Sequence, residues 1–229
     1  AVEHDGTIIT VFNGAHSNRL RWASRRDGVW EGNEKLPIKA SSNRNPGMAV
    51  HDGRVCIAYK GAHSNDLYVG WFDGAKWTGN DRIKDISSIA PKSDQSPRLV
   101  SDGDRLCMVY TGAWTDDLYV AWYDGSSWTG NEKIKKGSSI APKSNYAPGL
   151  AFDGDDVVAF YKGAHSNDLF SMRYDGKRWV GNEKVGADGD FSPKTNYNPQ
   201  PVVSQGTLHL LYKGAHSNEL YSAAYDGEV

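Results

Sequence analysis

The stretch YKGAHSNDLYVGWFDGAKWTGN, from Tyr59 to Asn80, decides the fold. Its centre, GAHSN, begins at Gly61 and returns at Gly14, Gly163 and Gly214, with the variant GAWTD at Gly112. Successive copies lie 47, 51, 51 and 51 residues apart. A second signature, W-x-G-N, starts at Trp30, Trp77, Trp128 and Trp179, with spacings of 47, 51 and 51. Self-similarity at a period of about 40–50 residues marks a propeller or a solenoid.

The contents of one period choose between them. In the second repeat, GMAVHDG (Gly47–Gly53) is short and apolar and ends in a turn dipeptide. RVCIAYKGA (Arg54–Ala62) is β-branched and aromatic, DLYVGWFDG (Asp66–Gly74) alternates, and KWTGNDRI (Lys76–Ile83) is more polar. Asp-Gly between apolar runs signals a hairpin, because glycine accepts the positive φ of a tight turn. No segment carries a 3.6-residue apolar period long enough for a helix. Four short strands, A to D, in each of five repeats predict an all-β, five-bladed propeller of four-stranded antiparallel blades. The blades fall at approximately 1–46, 47–97, 98–148, 149–199 and 200–229 of a single domain, the last lacking its outer strand. Either blade five has three strands or the chain is a piece of a longer one. The open edge this leaves predicts pairing with another copy or a longer native chain.

Bulk properties narrow the function. A formal net charge of −2 gives no general attraction to nucleic acid or anionic lipid. No run of eighteen apolar residues occurs, so membrane insertion by a helix is not expected. Cys56 in RVCIAYKG and Cys107 in RLCMVYTG lie 51 residues apart at equivalent strand positions, which predicts buried free thiols.

In a meandering blade the A–B and C–D turns share one face, and the B–C loop and the D–A crossover share the other. The Asp-Gly turns fill the first face. The second holds the KGAHSND loops and the crossovers, APKSNYAPG (Ala141–Gly149) and its relatives, so each loop should lie beside a crossover at a blade junction. Ser and Asn in such a loop satisfy their own backbone, which alone could account for Ser64 and Asn65. Histidine has no special turn role, and the loop is repeated more faithfully than the strands beside it. The candidate ligand residues are therefore the loop pairs His16 and Asn18, His63 and Asn65, Trp114 and Asp116, His165 and Asn167, and His216 and Asn218. The crossovers add Asn43, Asp94, Asn145, Tyr146, Asn196 and Tyr197. Trp77, Trp128 and Trp179 either pack against a neighbouring blade or form an aromatic wall. Asn80, Asn131 and Asn182 cap a turn or face a ligand. Trp114 and Asp116 replace His and Asn in blade three, which predicts an altered preference there. Lys60, Lys162 and Lys213 precede the loop, with Asn13 and Thr111 in their place elsewhere.

Clustered Asn, His, Asp and Ser next to aromatic rings suit a sugar: hydroxyls need paired donors and acceptors, and a pyranose rests its apolar face on a ring. One shallow site binds weakly, and several on a rigid scaffold gain about 10²–10⁴ in avidity. The layout, with Y-[DG]-x-x-W closing a four-stranded repeat, resembles the β-propeller lectins, in blade number the five-bladed tachylectin type. The pattern L-Y-x-x-x-Y-D-G-x-x-W is also similar to the repeats of the six-bladed fucose-binding propeller lectins. The resemblance covers the whole chain, is one of layout, and carries no ligand residue across. It implies multivalent binding of glycans between blades, without catalysis, a cofactor or an obligatory metal; from the residues themselves, an N-acetylated sugar would suit the loops, because an amide offers both a donor and an acceptor to Asn and Ser. It also carries the expectation of a secreted or extracellular setting.

Three other readings compete. A protein-binding scaffold would use Trp114 as an apolar anchor. A five-bladed glycoside hydrolase needs two carboxylates that break the repeat. The acids outside it are few (Asp104, Asp155, Asp156, Asp188, Asp190), and WYDGSSW (Trp122–Trp128) does not match the sialidase Asp-box S-x-D-x-G-x-x-W. A metal at His63 and Asp66 would have one His and one carboxylate per loop, short of the three or four ligands zinc requires.

Overall fold

The computed structural model describes residues 1–15, 17–135, 140–187 and 191–225. The Asp-Gly turns, apolar runs and Gly-Asn pairs of each repeat fold into a meander. The first sheet is β1 (Val2–His4), β2 (Thr7–Asn13), β3 (Leu20–Arg26) and β4 (Val29–Lys35). The second is β5 (Gly47–His51), β6 (Arg54–Lys60), β7 (Leu67–Phe72) and β8 (Trp77–Arg82), followed by α1 (Ile83–Ile86). The third is β9 (Arg98–Ser101), β10 (Leu106–Thr111), β11 (Leu118–Tyr123) and β12 (Trp128–Lys133), and the fourth β13 (Gly149–Asp153), β14 (Asp156–Lys162), β15 (Leu169–Tyr174) and β16 (Trp179–Lys184). The last has three strands, β17 (Gln200–Ser204), β18 (Thr207–Lys213) and β19 (Leu220–Tyr225). Hydrogen bonding follows chain order in every sheet, and the fold is a five-bladed β-propeller whose last blade has three strands. The single turn α1 is the one helix among the described residues, in keeping with the missing 3.6-residue period. Among the described residues no helix is long and apolar enough to cross a membrane.

Local chemistry explains the strand boundaries. At the A–B turns Asp5 and Gly6 take φ of 49° and 71°, and Asp52 and Gly53 49° and 64°. His4 pairs Thr7 and His51 pairs Arg54 across them, giving two-residue hairpin loops with both central residues at positive φ. The C–D turn of blade two is wider: Phe72 pairs Trp77, and Asp73 Oδ1 accepts the amides of Ala75 and Lys76 at 2.9 and 2.8 Å. Its strand β8 carries a bulge between Val69 and Gly70 of the partner, where Gly79 and Asn80 sit at φ of 81° and 108°. The Gly-Asn of W-x-G-N is thus a bulge pair that re-aims the asparagine side chain.

The contacts divide the chain into two compact units, one of Ala1–Met108 with Ala121–Asn131, the other of Val109–Val120 with Glu132–Val229. The core of the first gathers Ile9, Val11, Leu20, Leu36, Val55, Ile57 and Tyr59 around Phe72 and Trp77. Trp77 packs 5.0 Å from the Phe72 ring and 5.9 Å from Trp22. The second packs Ala151, Val158, Phe160 and Leu169 against Leu208, Leu210 and Tyr212. Cys56 and Cys107 are free and buried, and burial pushes both thiols up.

The first strands of neighbouring blades approach closely through glycine. A Cβ on Gly149 would stand 2.5 Å from the Pro199 carbonyl oxygen and 2.3 Å from Pro201 Cδ. Gly149→Ala should cost about 1–3 kcal/mol through overpacking against backbone. That predicts a melting temperature lower by several degrees in a thermal unfolding scan, and an unchanged value would mean this strand contact gives way freely.

Candidate functional site

The pentapeptide loop is built largely by its backbone. In blade two, Gly61 N donates to Asp66 O at 3.0 Å, and Ser64 N to Gly61 O. Ser64 Oγ accepts from Asp66 N at 3.3 Å. A Cβ on Gly61 would meet both Ser64 Oγ and the Tyr68 ring at 2.8 Å, so only glycine fits. Ala62 N donates to Ser41 O of the crossover at 3.0 Å. Asn65 O accepts from Ser93 N of the next crossover at 2.8 Å. The same bonds recur as Ala164 N to Lys143 O, Ala215 N to Lys194 O, Ser42 N to Asn18 O, Ser144 N to Asp116 O and Thr195 N to Asn167 O. The glycine and the serine of GAHSN therefore have residue-specific structural tasks, while the alanine and the asparagine serve through main-chain groups alone.

Beside this loop a recess opens at the junction of loop and crossover. In blade two it is about 290 Å³ and is lined by Lys39, Ser41, Tyr59, Gly61, Ala62, His63, Ser64, Tyr68 and Asn80. In blade four it is about 280 Å³ and is lined by Ala141, Lys143, Tyr161, Gly163, Ala164, His165, Ser166, Phe170 and Asn182. The two lists correspond position by position. A stacked aromatic pair flanks each: Tyr59 and Tyr68 at 5.6 Å and 15°, Tyr161 and Phe170 at 5.7 Å and 17°. Tyr110 with Tyr119 and Tyr212 with Tyr221 repeat the pair in blades three and five. The hydroxyls of Tyr59 and Tyr161 donate to Oδ1 of Asn80 and Asn182. Burial raises both phenols well above the ordinary tyrosine value, so they stay protonated donors. With Oδ1 engaged, each asparagine keeps its two amide hydrogens for a ligand.

The exposed histidines stand at the rim. His165 Nε2 lies 3.9 Å from the Asp116 carboxylate, which reaches it from blade three. His63 and His216 are exposed too, as is Asn218, and His16 lies outside the described residues, as do Asp188 and Asp190. Asn18, Asn65 and Asn167 serve the scaffold through their carbonyls. Trp114 is 77 % exposed at the tip of its loop with φ of 63°, a left-handed conformation rare for tryptophan.

The crossover residues fall elsewhere. Tyr59 and Lys60 are consecutive in β6, so their side chains leave on opposite faces. Lys60 Nζ donates to Asn43 Oδ1 at 3.1 Å and Gly61 O at 3.0 Å. Lys162 reaches Asn145 Oδ1 at 3.4 Å and lies 5.4 Å from the Tyr146 ring centre, and Lys213 lies 5.1 Å from that of Tyr197. Burial lowers the Lys60 and Lys162 ammonium pKa values, with Arg44 adding to the effect at Lys60. Asp94 O accepts from Arg44 Nε at 3.2 Å, and Asn196 Nδ2 donates to Ala215 O. Asn43 thus meets Lys60, Asn145 and Tyr146 meet Lys162, and Tyr197 meets Lys213, and none of the four lines a histidine recess.

Trp77, Trp128 and Trp179 do not line the recess. They begin the fourth strands at the Asp-Gly end, are 7, 0 and 4 % exposed, and pack on Phe72, Tyr123 and Tyr174. Their role is core packing, because strand D enters from the turn opposite the loops. The aromatic wall comes instead from Tyr59, Tyr68 and their counterparts. Their signal was present in Y-K-G-A-H-S-N-D-L-Y, two aromatic positions nine residues apart in repeats two to five. Asp66 is held by Arg82 at 3.4 Å and Lys84 at 4.0 Å, which removes it as a metal ligand. Among the described residues no group of three His, Cys, Asp or Glu could hold a metal ion. Asp156 pairs with Arg173 at 3.0 Å.

No protein-family model matches the chain, and no curated protein does. Solved structures share its fold. A lectin of the fungus Aleuria aurantia, a six-bladed β-propeller that recognises fucose, aligns with a TM-score of 0.65 at 14 % identity, over 97 % of this chain and 75 % of its own. A Hadza microbial sialidase aligns at 0.65 and 11 % identity, over 98 % of this chain and 55 % of its own. An α-L-arabinofuranosidase of Clostridium thermocellum aligns at 0.56 and 14 % identity, over 99 % and 89 %. At these identities the likeness establishes the β-propeller fold and nothing finer.

Proposed function

We propose that the chain binds carbohydrate at recesses repeated on its blades and works as a multivalent lectin without catalysis. The observation that carries this reading is the correspondence of the recesses of blades two and four, residue by residue, with an aromatic ring, an asparagine, a serine and a histidine in each. A sugar would rest its apolar face on the rim ring, Tyr68 or Phe170. Its hydroxyls would meet the amide hydrogens of Asn80 or Asn182, the Ser64 or Ser166 hydroxyl, and the His63 or His165 imidazole. The volumes sit just below the range for ligand pockets, about 300–1,000 Å³, which favours one sugar ring over a long oligosaccharide. An N-acetyl group would suit the amide and hydroxyl pair, offering one donor and one acceptor. The fold neighbours that bind or cleave glycosides agree with this class of ligand.

A glycan array should return one preferred class of sugar, with the free monosaccharide competing at millimolar concentration. Asn80→Ala with Asn182→Ala should weaken array binding at least tenfold, and so should His63→Ala with His165→Ala. Full binding by both double variants would take the recess out of the site. A protein ligand that no monosaccharide displaces would favour the scaffold reading.

A second reading has one observation of its own. Blade one holds a cavity of about 460 Å³ lined by His4, Trp22, Arg26, Asp27, Glu31 and Phe72 among others. Glu31 stands where the other repeats have Thr78, Thr129 and Val180. A hydrolase requires such a break in the repeat, with paired carboxylates. On the lectin reading no chromogenic glycoside is turned over. Turnover abolished by Glu31→Gln would decide for the enzyme.

A further inference from the structure

The junction of blades one and two differs from the next one at a single place. In β3, Ser24 lies opposite Ile9 of β2 and Glu31 of β4. The following repeats carry Trp71, Trp122 and Arg173 at the position of Ser24, and Arg54 stands in blade two where blade one has Thr7. At the junction of blades two and three these side chains fill the space. The Arg54 guanidinium lies over the Trp71 ring, 4.6 Å from its centre, and Trp71 packs 5.3 Å from Tyr123. At the first junction both are cut back, to Thr7 and Ser24, and a cavity of about 460 Å³ remains. It opens among the Asp-Gly turns, at the end of the blades away from the histidine recesses. Its floor is aromatic: Phe72 is buried, and the Trp22 ring stands 5.6 Å from it. His4 fixes the floor by donating from Nε2 to Gly53 O at 2.8 Å and packing edge-on to Phe72 at 6.3 Å. Its rim carries Asp5, Asp27 and Glu31 against one guanidinium, that of Arg26, whose Nε donates to Thr7 Oγ1 at 2.9 Å. Among the described residues Asp27 and Glu31 stand in no ion pair, and Asp5 meets the His4 ring at 3.8 Å. Val29, 61 % exposed, adds an apolar edge.

We propose that this cavity binds a small organic cation, a substituted ammonium group on an apolar body. The cation takes the place that the Arg54 guanidinium holds at the next junction, over an aromatic ring and inside the blade interface. Trp22 and Phe72 supply the rings here, and Glu31 and Asp27 supply the counter-charge. A cation held on a ring gains most where water is excluded, and the blade-one face and Phe72 enclose the site from two sides. The exchange across one strand pair makes both halves of the site: Ser24 for tryptophan opens the space, and Glu31 for threonine or valine brings the charge. An anion would meet three carboxylates, and a neutral ligand would leave their charge unanswered. The volume falls within the range for small-molecule sites, about 300–1,000 Å³. The inference goes beyond the lectin reading, in which this cavity has no part, and stands whether or not the histidine recesses bind sugar.

The test is a calorimetric titration of the full chain with benzyltrimethylammonium, and with choline against dimethylbutanol, its uncharged isostere. One cation per chain is expected to bind, with a change in tryptophan fluorescence and an affinity that falls as salt is raised. Dimethylbutanol should bind about tenfold more weakly than choline. Ser24→Trp, which restores the side chain of blade two, should abolish binding by filling the cavity. Glu31→Gln should weaken binding about tenfold with the thermal unfolding curve unchanged. Equal binding of choline and dimethylbutanol would overturn the proposal, and so would full affinity in either variant. Absence of saturable binding by both ammonium compounds at millimolar concentration would overturn it as well, as would a glycoside that displaces the cation and is turned over.

Discussion

The crossover backbone holds the loops of two neighbouring blades at once. Ser42 N binds Asn18 O of the blade behind, and Ser41 O accepts Ala62 N of the blade ahead. The same strap recurs with Lys143 and Ser144, and with Lys194 and Thr195. A single bond of this kind contributes about 0.5–1.5 kcal/mol net, but consecutive residues bonded in opposite directions fix position as well as energy. The crossover cannot slide without breaking both. A buried hydroxyl reinforces the strap from inside: Ser42 Oγ accepts Arg44 N at 3.0 Å, and Ser93 and Ser144 repeat this with Gln95 and Tyr146. Loop and crossover therefore meet at one spacing, and the recess between them has nearly the same volume in blades two and four.

That constraint also explains how far the sequence could be read. The 51-residue period, the Asp-Gly turns and the alternation of Leu67–Phe72 made the blades and their strands legible, since each is a local property. The pairing of loop with crossover was legible from topology alone. The fidelity of GAHSN, however, has two sources that letters cannot separate. Gly61 is crowded by Ser64 Oγ and the Tyr68 ring, and Ser64 closes the turn, but the strap takes only main-chain groups of Ala62 and Asn65 and so accounts for the letters of neither, as it does not for His63. Which face a crossover residue meets was also hidden. It depends on whether its neighbour is Tyr59 or Lys60, one residue apart on a strand and so on opposite faces. For the tryptophans of W-x-G-N the sequence left packing and an aromatic wall both open, and strand direction separates the two. Trp77 enters at the turn end, three positions before Asn80, which the bulge turns toward Tyr59.

The repeats differ where the recess is most sensitive. In blade one the aromatic pair is replaced by Phe12 and Arg21, and Arg21 Nε donates to Asn33 Oδ1 at 2.9 Å. The guanidinium thus takes the bond that a buried phenol makes in blades two and four. In blade three the aromatic pair survives, but Trp114 replaces the rim histidine and stands out from the loop. In blade five the pair and the histidine are present, and among the described residues no asparagine strand pairs with β19.

Two of the five junctions therefore hold the complete set of groups, and this bears on how repetition can serve binding. A shallow recess with one ring and three or four polar groups gives a weak site, because only the surplus over the ordering and desolvation costs appears as affinity. A second equal recess on the same chain raises avidity only when one partner, or one surface, engages both together. The strap makes this workable, since it holds each recess rigid and spends no binding energy on ordering the loops. The differences between the pair, Lys39 and Ser41 against Ala141 and Lys143, then move the positive charge within the recess without removing it. A ligand carrying a negative group would feel the two sites differently, and a neutral one would feel them nearly alike.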